Sequence, residues 1–250
     1  MTERKIPLLC ITGPTASGKS ALAVRLAQLL GGEVVSCDSM QIYRGMDIGT
    51  AKPTEAEMCG VPHHMIDIVA PSEDYSCGRY ADEAAKVIKD IASRGALPIV
   101  CGGTGLYLDS LITATEHADA PSDPAMREEL LARDAQSLHD ELSEIDAESA
   151  AAIHPNNKRR VARAIEIYRI TGRTKSEWDR RSHDTPSPYD ASVVALGYLD
   201  RELLYRRIRM RVDEMFDRGL CDEVCSLDLD PDSTAAAAIG YKEVGTYLRG

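Results

Sequence analysis

Two groups of residues in this 250-residue sequence have types and spacing suited to phosphate chemistry. The first is GPTASGKS (13–20), which reads G-x-x-x-x-G-K-S, the pattern of a phosphate-binding loop. Its glycines let the backbone wrap, so that amides of Gly13, Thr15, Ala16, Ser17, Gly18, Lys19 and Ser20 can point at phosphate oxygens. Lys19 adds a point charge, the Ser20 hydroxyl can hold Mg²⁺, and the helix starting there adds its positive end. Most such loops are nucleotide-binding and ATP-binding, but the loop does not say what carries the phosphates. The second group surrounds Asp38 in SCDSMQIY (36–43). An acid at a strand end can assist a metal, as in small-molecule kinases. It can equally act as general base on a nucleophile presented beside the phosphates. Nucleotide hydrolases usually place their acid at the end of a later apolar strand. Here that strand, LPIVC (97–101), runs into GGTGLY without an acid.

These groups need a scaffold, and the hydrophobic pattern supplies one. KIPLLCIT (5–12), EVVSC (33–37), MIDIVA (65–70), LPIVC (97–101) and SVVALGYL (192–199) read as buried strands. Between them, residues 19–30 read as a helix with Ala21, Leu22, Leu26, Leu29 and Leu30 at helical spacing, and Ser76 caps a helix running to about Arg94. Strands alternating with helices imply an α/β fold: a P-loop parallel sheet covered by helices on both faces. In such sheets ligands sit at the carboxyl ends of the strands, which here means 13–20, 38–41 and 102–104. About ninety residues without a strand pattern separate the last two strands, too many for one crossover. They read as helices at 124–132, 135–145, 146–153, 157–171 and 174–181, an inserted helical subdomain. The expected division is a core of 1–112 and 190–250 with an insertion at 113–189. Asp200 then caps a helix that Gly219 ends.

Composition narrows the partners. Net charge is −11, which argues against a general nucleic-acid coat, yet residues 156–181 hold nine bases against three acids. Residues 116–148 hold eleven acids against two bases. The basic segment either faces a polyanion or pairs with the acidic one. Seven cysteines show no C-x-x-C pair, and Cys221 and Cys225 are joined by no His or Cys cluster, so free thiols in a reducing cytoplasm are expected rather than zinc. No run of 18 apolar residues suggests a membrane span.

GPTASGKS, SCDSMQIYRGMDIGTAKP (36–53), VPHHMIDI (61–68), VCGGTGLYL (100–108), NKRRVARAIEIYRITG (157–172) and AIGYKE (238–243) follow one another in the order seen in tRNA dimethylallyltransferases, which the chain resembles over nearly its whole length. The resemblance implies transfer of a dimethylallyl group from dimethylallyl diphosphate to the exocyclic N6 of the adenine 3′ of a tRNA anticodon, with Mg²⁺ and without nucleotide hydrolysis. It implies that Asp38 takes the amine proton, that Thr104 touches substrate near the breaking bond, and that Arg211, rather than Arg207 one turn earlier, reaches the diphosphate. Asp38, Ser39, Met40, Gln41 and Thr104 would meet the flipped base. Arg159, Arg160, Val161, Ala162 and Arg163 would meet the tRNA backbone, and Ala237, Ala238, Ile239, Gly240, Tyr241 and Lys242 would form a second tRNA segment. His63 and His64 would order the loop after Asp38. The expected partners are a tRNA anticodon loop and dimethylallyl diphosphate, bound by a cytoplasmic monomer. Two alternatives remain at this point: a P-loop small-molecule kinase using the insertion as a lid, and a prenyl transferase acting on free adenine nucleotides.

Overall fold

The computed structural model describes residues 5–113, 122–184, 186–231 and 233–249. The chain divides into two compact units, Met1–Ile112 with Pro188–Gly250, and Thr113–Ser187. Most of the expected linker at 113–121 lies outside the described residues.

The first unit is built on β1 (Ile6–Thr12), β2 (Gly32–Ser36), β3 (His63–His64), β4 (Leu97–Gly102) and β5 (Tyr189–Ala195), all parallel, in the order β3-β2-β4-β1-β5. Successive residues serve opposite faces, so the inner strands must be apolar throughout. Cys10, Val35 and Val100 join one buried cluster, and Ile11, Val34 and Ile99 the other. Helix α3 (Cys77–Ser93) covers the first face with Tyr80, Ala84 and Ile88, its first turn capped by Ser76, whose hydroxyl accepts from Arg79 N. Helix α1 (Lys19–Leu30) covers the second through Ala23, Val24 and Ala27. The small side chains set that contact. Of the expected apolar stripe, Leu22 and Leu26 are half-buried, while Leu29 and Leu30 in the last turn are exposed.

One expected strand is corrected. The third strand is the dipeptide His63–His64, not 65–70. Past it the backbone enters the left-handed region at Met65 (φ 61°) and Asp67 (φ 55°), which no strand permits. The apolar run hooks instead onto the turn after β2, where Asp67 N donates to Gln41 O at 3.1 Å and Ile68 N to Ile42 O at 2.8 Å. Strand β5 starts at Tyr189 rather than 192, in register with Ile6 of β1. Shorter helices α2 (Glu55–Met58) and α4 (Gly105–Ile112), then α10 (Arg201–Asp217), α11 (Leu220–Leu227) and α12 (Tyr241–Leu248), complete this unit.

The second unit holds α5 (Pro124–Ala132), α6 (Ala135–Ile145), α7 (Ala147–Ala152), α8 (Lys158–Thr171) and α9 (Lys175–Asp184), around a core of Leu130, Leu138, Leu142, Val161, Ala162 and Ile165. Asp123, Asp134 and Asp146 cap α5, α6 and α7. The acidic and basic segments partly pair. Glu166, fully buried, accepts from Arg127 at 2.9 Å and Arg163 at 2.8 Å, and Glu141 takes Arg133 at 2.5 Å and Arg169 at 2.7 Å. Among the described residues no helix is long and apolar enough to cross a membrane.

Candidate active site

The sheet order decides which loops meet. β4 lies between β1 and β2, so the 102–104 loop stands between the phosphate loop after β1 and Asp38 after β2. Gly102 makes this junction possible: a Cβ there would overlap the Cys37 carbonyl. The close approach is tied by Cys37 N donating to Cys101 O at 2.8 Å and Thr104 N to Cys37 O at 3.2 Å. Thr104 is thereby fastened to the residue before Asp38. Its hydroxyl accepts from Ser39 N at 3.0 Å.

The phosphate loop wraps as its glycines suggest. Ala16 (φ 62°) and Gly18 (φ 85°) are left-handed, Ser17 N donates to Pro14 O at 3.3 Å, and Tyr198, which sequence reasoning missed, braces the loop by donating from its hydroxyl to Ala16 O at 2.8 Å. Gly18 begins α1 without a side-chain cap, so the first-turn amides face the loop's concavity without an intramolecular acceptor from a cap. Lys19 donates to Pro14 O at 3.4 Å. Burial lowers the Lys19 pKa, opposed by the charges of Cys101 and Asp38, while Arg211 adds to the lowering.

From α10, Arg211 reaches the same place. Its Nε is buried without a hydrogen-bond partner, as is the Ser17 hydroxyl. Burial lowers the Arg211 pKa too, against the pull of Asp38, Glu57 and Glu214. Two desolvated cations thus share one corner with the open end of a helix. Such groups are costly unless an anion completes them. Arg207 instead lies over the Tyr198 ring, 6.0 Å from its centroid. A cleft of about 630 Å³ opens here, lined by Lys19, Ser20, Glu57, Arg207, Arg211 and Arg218. Arg218 and Glu57 were not anticipated. The signal for Arg218 was present, since 211 and 218 are two helical turns apart.

Asp38 is half-buried. Its Oδ1 accepts from Met40 N at 3.0 Å, and its other oxygen makes no hydrogen bond with the described residues. It forms none of the ion pairs among the described residues, so a carboxylate with one open acceptor faces the site. No acid follows β4, and among the described residues no group of three His, Cys, Asp or Glu could hold a metal.

The IPP transferase family model matches residues 41–250, and the isopentenyl transferase model matches residues 6–70. The chain belongs to the IPP transferase family. A tRNA dimethylallyltransferase of Pelotomaculum thermopropionicum is 48% identical over 99% of this chain and 80% of its own length. One from Halalkalibacterium halodurans is 50% identical over 98% of this chain and 80% of its own. Among solved structures, the full-length tRNA isopentenylpyrophosphate transferase of Bacillus halodurans is 47% identical with a TM-score of 0.69, covering 98% of this chain and 78% of that one. A eukaryotic dimethylallyltransferase, described as acting on tRNA, is 34% identical with a TM-score of 0.83, covering 97% and 63%.

Within this IPP transferase, the residues expected at RNA fall into two groups. Arg159 and Arg160 are exposed and form no ion pair among the described residues. Val161 and Ala162 are corrected: both are fully buried in the helical core and present no surface to RNA. Arg163 is half-exposed and its guanidinium is engaged with Glu166. In the later segment Ala237, Ile239 and Lys242 are exposed, Gly240 is half-buried, and Ala238 and Tyr241 are buried, so these last two are corrected in the same way. Gln41 spends its side-chain amide within the protein, donating to Thr50 O and Ala51 O and accepting from Ser36. Met40 packs against the core and Ser39 is tied to Thr104. His64 pairs with Glu33 at 2.7 Å and His63 donates from Nδ1 to Val61 O at 2.9 Å, which places both histidines on the β3 edge.

Proposed function

We propose that this IPP transferase moves a dimethylallyl group from dimethylallyl diphosphate onto the exocyclic N6 of an adenine in a tRNA anticodon loop. The observation that carries the reading is the corner where two desolvated cations, Lys19 and Arg211, meet the open end of α1, facing a lone strand-end carboxylate across Thr104. A diphosphate satisfies the first. A weakly nucleophilic amine requires the second.

In the proposed reaction the adenine N6 attacks the allylic carbon, the carbon–oxygen bond to diphosphate breaks, and the open oxygen of Asp38 accepts the N6 proton. As the bond stretches, charge grows on the leaving oxygens. The loop amides, Lys19 and Arg211 are fixed in advance to receive it, so little reorganisation is needed. Thr104, held through Ser39, stands between the two sites and orients substrate at the reacting centre. The donor set fits Mg²⁺ only with help from the ligand: Ser20 offers one hydroxyl at the start of α1, and diphosphate oxygens would supply others. Bound there, Mg²⁺ would neutralise part of the leaving-group charge. The base must leave its stack, at about a few kcal/mol, which an anticodon loop permits more readily than a duplex. Exposed Arg159 and Arg160 supply phosphate contacts from the helical unit. An enzyme acting on tRNA works in the cytoplasm.

The test is direct. The protein, dimethylallyl diphosphate, Mg²⁺ and unmodified tRNA are incubated, the RNA is digested, and nucleosides are weighed by mass spectrometry. One prenyl group on adenosine is expected, with no ATP consumed. Absence of prenyladenosine, or tRNA-stimulated ATP hydrolysis, would overturn the reading in favour of a kinase or ATPase.

A further inference from the structure

We propose that Glu223, on α11, is a positioning residue for Asp38, acting through the 47–51 loop. The inference rests on the transfer reaction proposed above. Residues 47–49 turn three successive backbone N–H groups to one side, and all three donate to the Glu223 carboxylate: Asp47 at 3.0 Å, Ile48 at 2.8 and 3.1 Å, and Gly49 at 3.1 Å. Such a concavity binds anions, and here the anion is the protein's own side chain. The Tyr241 hydroxyl is a fourth donor to the same carboxylate. Gly49 is dictated by this contact, because a Cβ would run into the Tyr241 ring.

The loop then reaches the site. Thr50 O and Ala51 O, the next two carbonyls, both accept from Gln41 Nε2 at 3.3 Å. Gln41 Oε1 accepts from Ser36 Oγ at 3.0 Å, so this one side chain spans the turn that carries Asp38. Within that turn, Met40 N orients Asp38 Oδ1 at 3.0 Å. Lys52 adds a second tie, donating to Tyr43 O at 2.9 Å and to Asp47 at 2.6 Å. Glu223 is thus connected to Asp38 by an unbroken run of hydrogen bonds and short backbone steps. The phosphate loop is held separately, by Tyr198 and by its own backbone. Ala51 also lines the diphosphate cleft, but Lys19 and the loop amides do not hang on Glu223, so loosening Glu223 should disturb the base far more than the diphosphate corner. The same run explains why the DIGT and AIGY segments belong together: one supplies the amides, the other the tyrosine that shares their acceptor.

The experiment uses Glu223→Gln and Glu223→Ala in the full chain, assayed well below their melting temperatures. A base misplaced by about 1 Å can lose on the order of a hundredfold in rate. Glu223→Gln, which keeps one acceptor oxygen, should lose about tenfold in kcat, and Glu223→Ala closer to a hundredfold. The KM for dimethylallyl diphosphate and the Kd for inorganic diphosphate should stay within about twofold of the parent, because the phosphate loop is untouched. A kcat within twofold of the parent, with only melting temperature lowered, overturns the inference. So does diphosphate affinity falling in step with kcat. Amide hydrogen exchange decides independently of catalysis: in Glu223→Ala, amides 38–43 should exchange about tenfold faster while 15–22 are unchanged. Unchanged protection at 38–43 sinks the linkage whatever the rates. If the parent protein transfers no prenyl group, the proposed reaction fails, and the exchange result alone decides whether Glu223 holds the Asp38 turn.

Discussion

Replacing Arg211 by Met should make the free protein more stable and the enzyme much slower. The guanidinium of Arg211 is desolvated, its Nε has no partner, and burial lowers its pKa. A buried unsatisfied donor costs about 1–3 kcal/mol. The side chain is half-buried rather than sealed, so the recoverable part lies near the lower end, about 1 kcal/mol. Met keeps the apolar stem that packs along the cleft and removes the charge. In a chain of this length 1 kcal/mol moves Tm by about 2–4 °C, so differential scanning fluorimetry without ligand should show a rise of that size. Catalysis should move the other way. One preorganised donor on a developing oxyanion contributes about 10²–10³ in kcat, and single-turnover prenylation should fall by that factor. Inorganic diphosphate should raise the Tm of the parent protein more than that of the variant, since a ligand stabilises by its affinity for the folded state. A variant that melts lower and prenylates normally would refute the reasoning.

Asp38→Asn keeps an acceptor for Met40 N but cannot take a proton, so turnover should fall by about 10²–10⁴ with diphosphate affinity retained; loss within tenfold would exclude general-base catalysis. Arg159→Gln with Arg160→Gln should weaken tRNA binding and flatten its salt dependence by about one unit of slope for each phosphate no longer neutralised, read by filter binding, without lowering Tm. Arg163→Gln should instead lower Tm, because it leaves the buried Glu166 carboxylate with a single guanidinium partner, Arg127. Glu33 is held down to about pKa 2 from 4.5, first by hydrogen bonding to Arg94, and also by His64. A depressed carboxylate stabilises the fold above its unfolded pKa and loses that contribution as pH falls toward its folded pKa. The Tm gap between parent and Glu33→Gln should therefore be full above about pH 4.5 and close on acidification toward pH 2. A gap independent of pH would mean that the Glu33–Arg94 contact contributes nothing.

How far the site was legible depended on whether its geometry is local. The phosphate loop is: eight consecutive residues encode both the wrap and the start of α1, and they fold as read. Asp38 was legible because an acid directly after a buried strand must lie at the sheet edge. The strand pattern put Thr104 at the sheet edge, but its role came only from resemblance. What fixes it is the contact of Gly102 with the Cys37 carbonyl, more than sixty residues away, which no local pattern encodes. Resemblance also erred in a definite way. It supplied continuous segments, 159–163 and 237–242, whereas successive residues on a helix turn by about 100°, so a stretch of five must send some side chains inward. Val161 and Ala162 are those residues. The false strand at 65–70 failed for a related reason. Burial made the run apolar, but it was burial against a turn rather than in a ladder. Glu223 gave no local signal, since the amides it accepts from lie about 175 residues earlier.

The sheet order leaves room for a reacting carbon and an amine between the phosphate loop and the acid. The strand beside the loop is β4, which ends in Gly102 with no acid after it, and Asp38 follows β2, one strand farther. Strands lie about 4.8 Å apart, so two spacings put the strands that lead to the loop and to Asp38 about 9–10 Å apart. The proposed transfer uses such a gap: hydrogen-bond reach from carboxylate to amine nitrogen, then about 3–3.5 Å from nitrogen to the reacting carbon, then the link through oxygen to phosphorus. The 102–104 loop fills the sheet edge between the two, and Gly102, pressed against Cys37, leaves room for a side chain no earlier than Gly103.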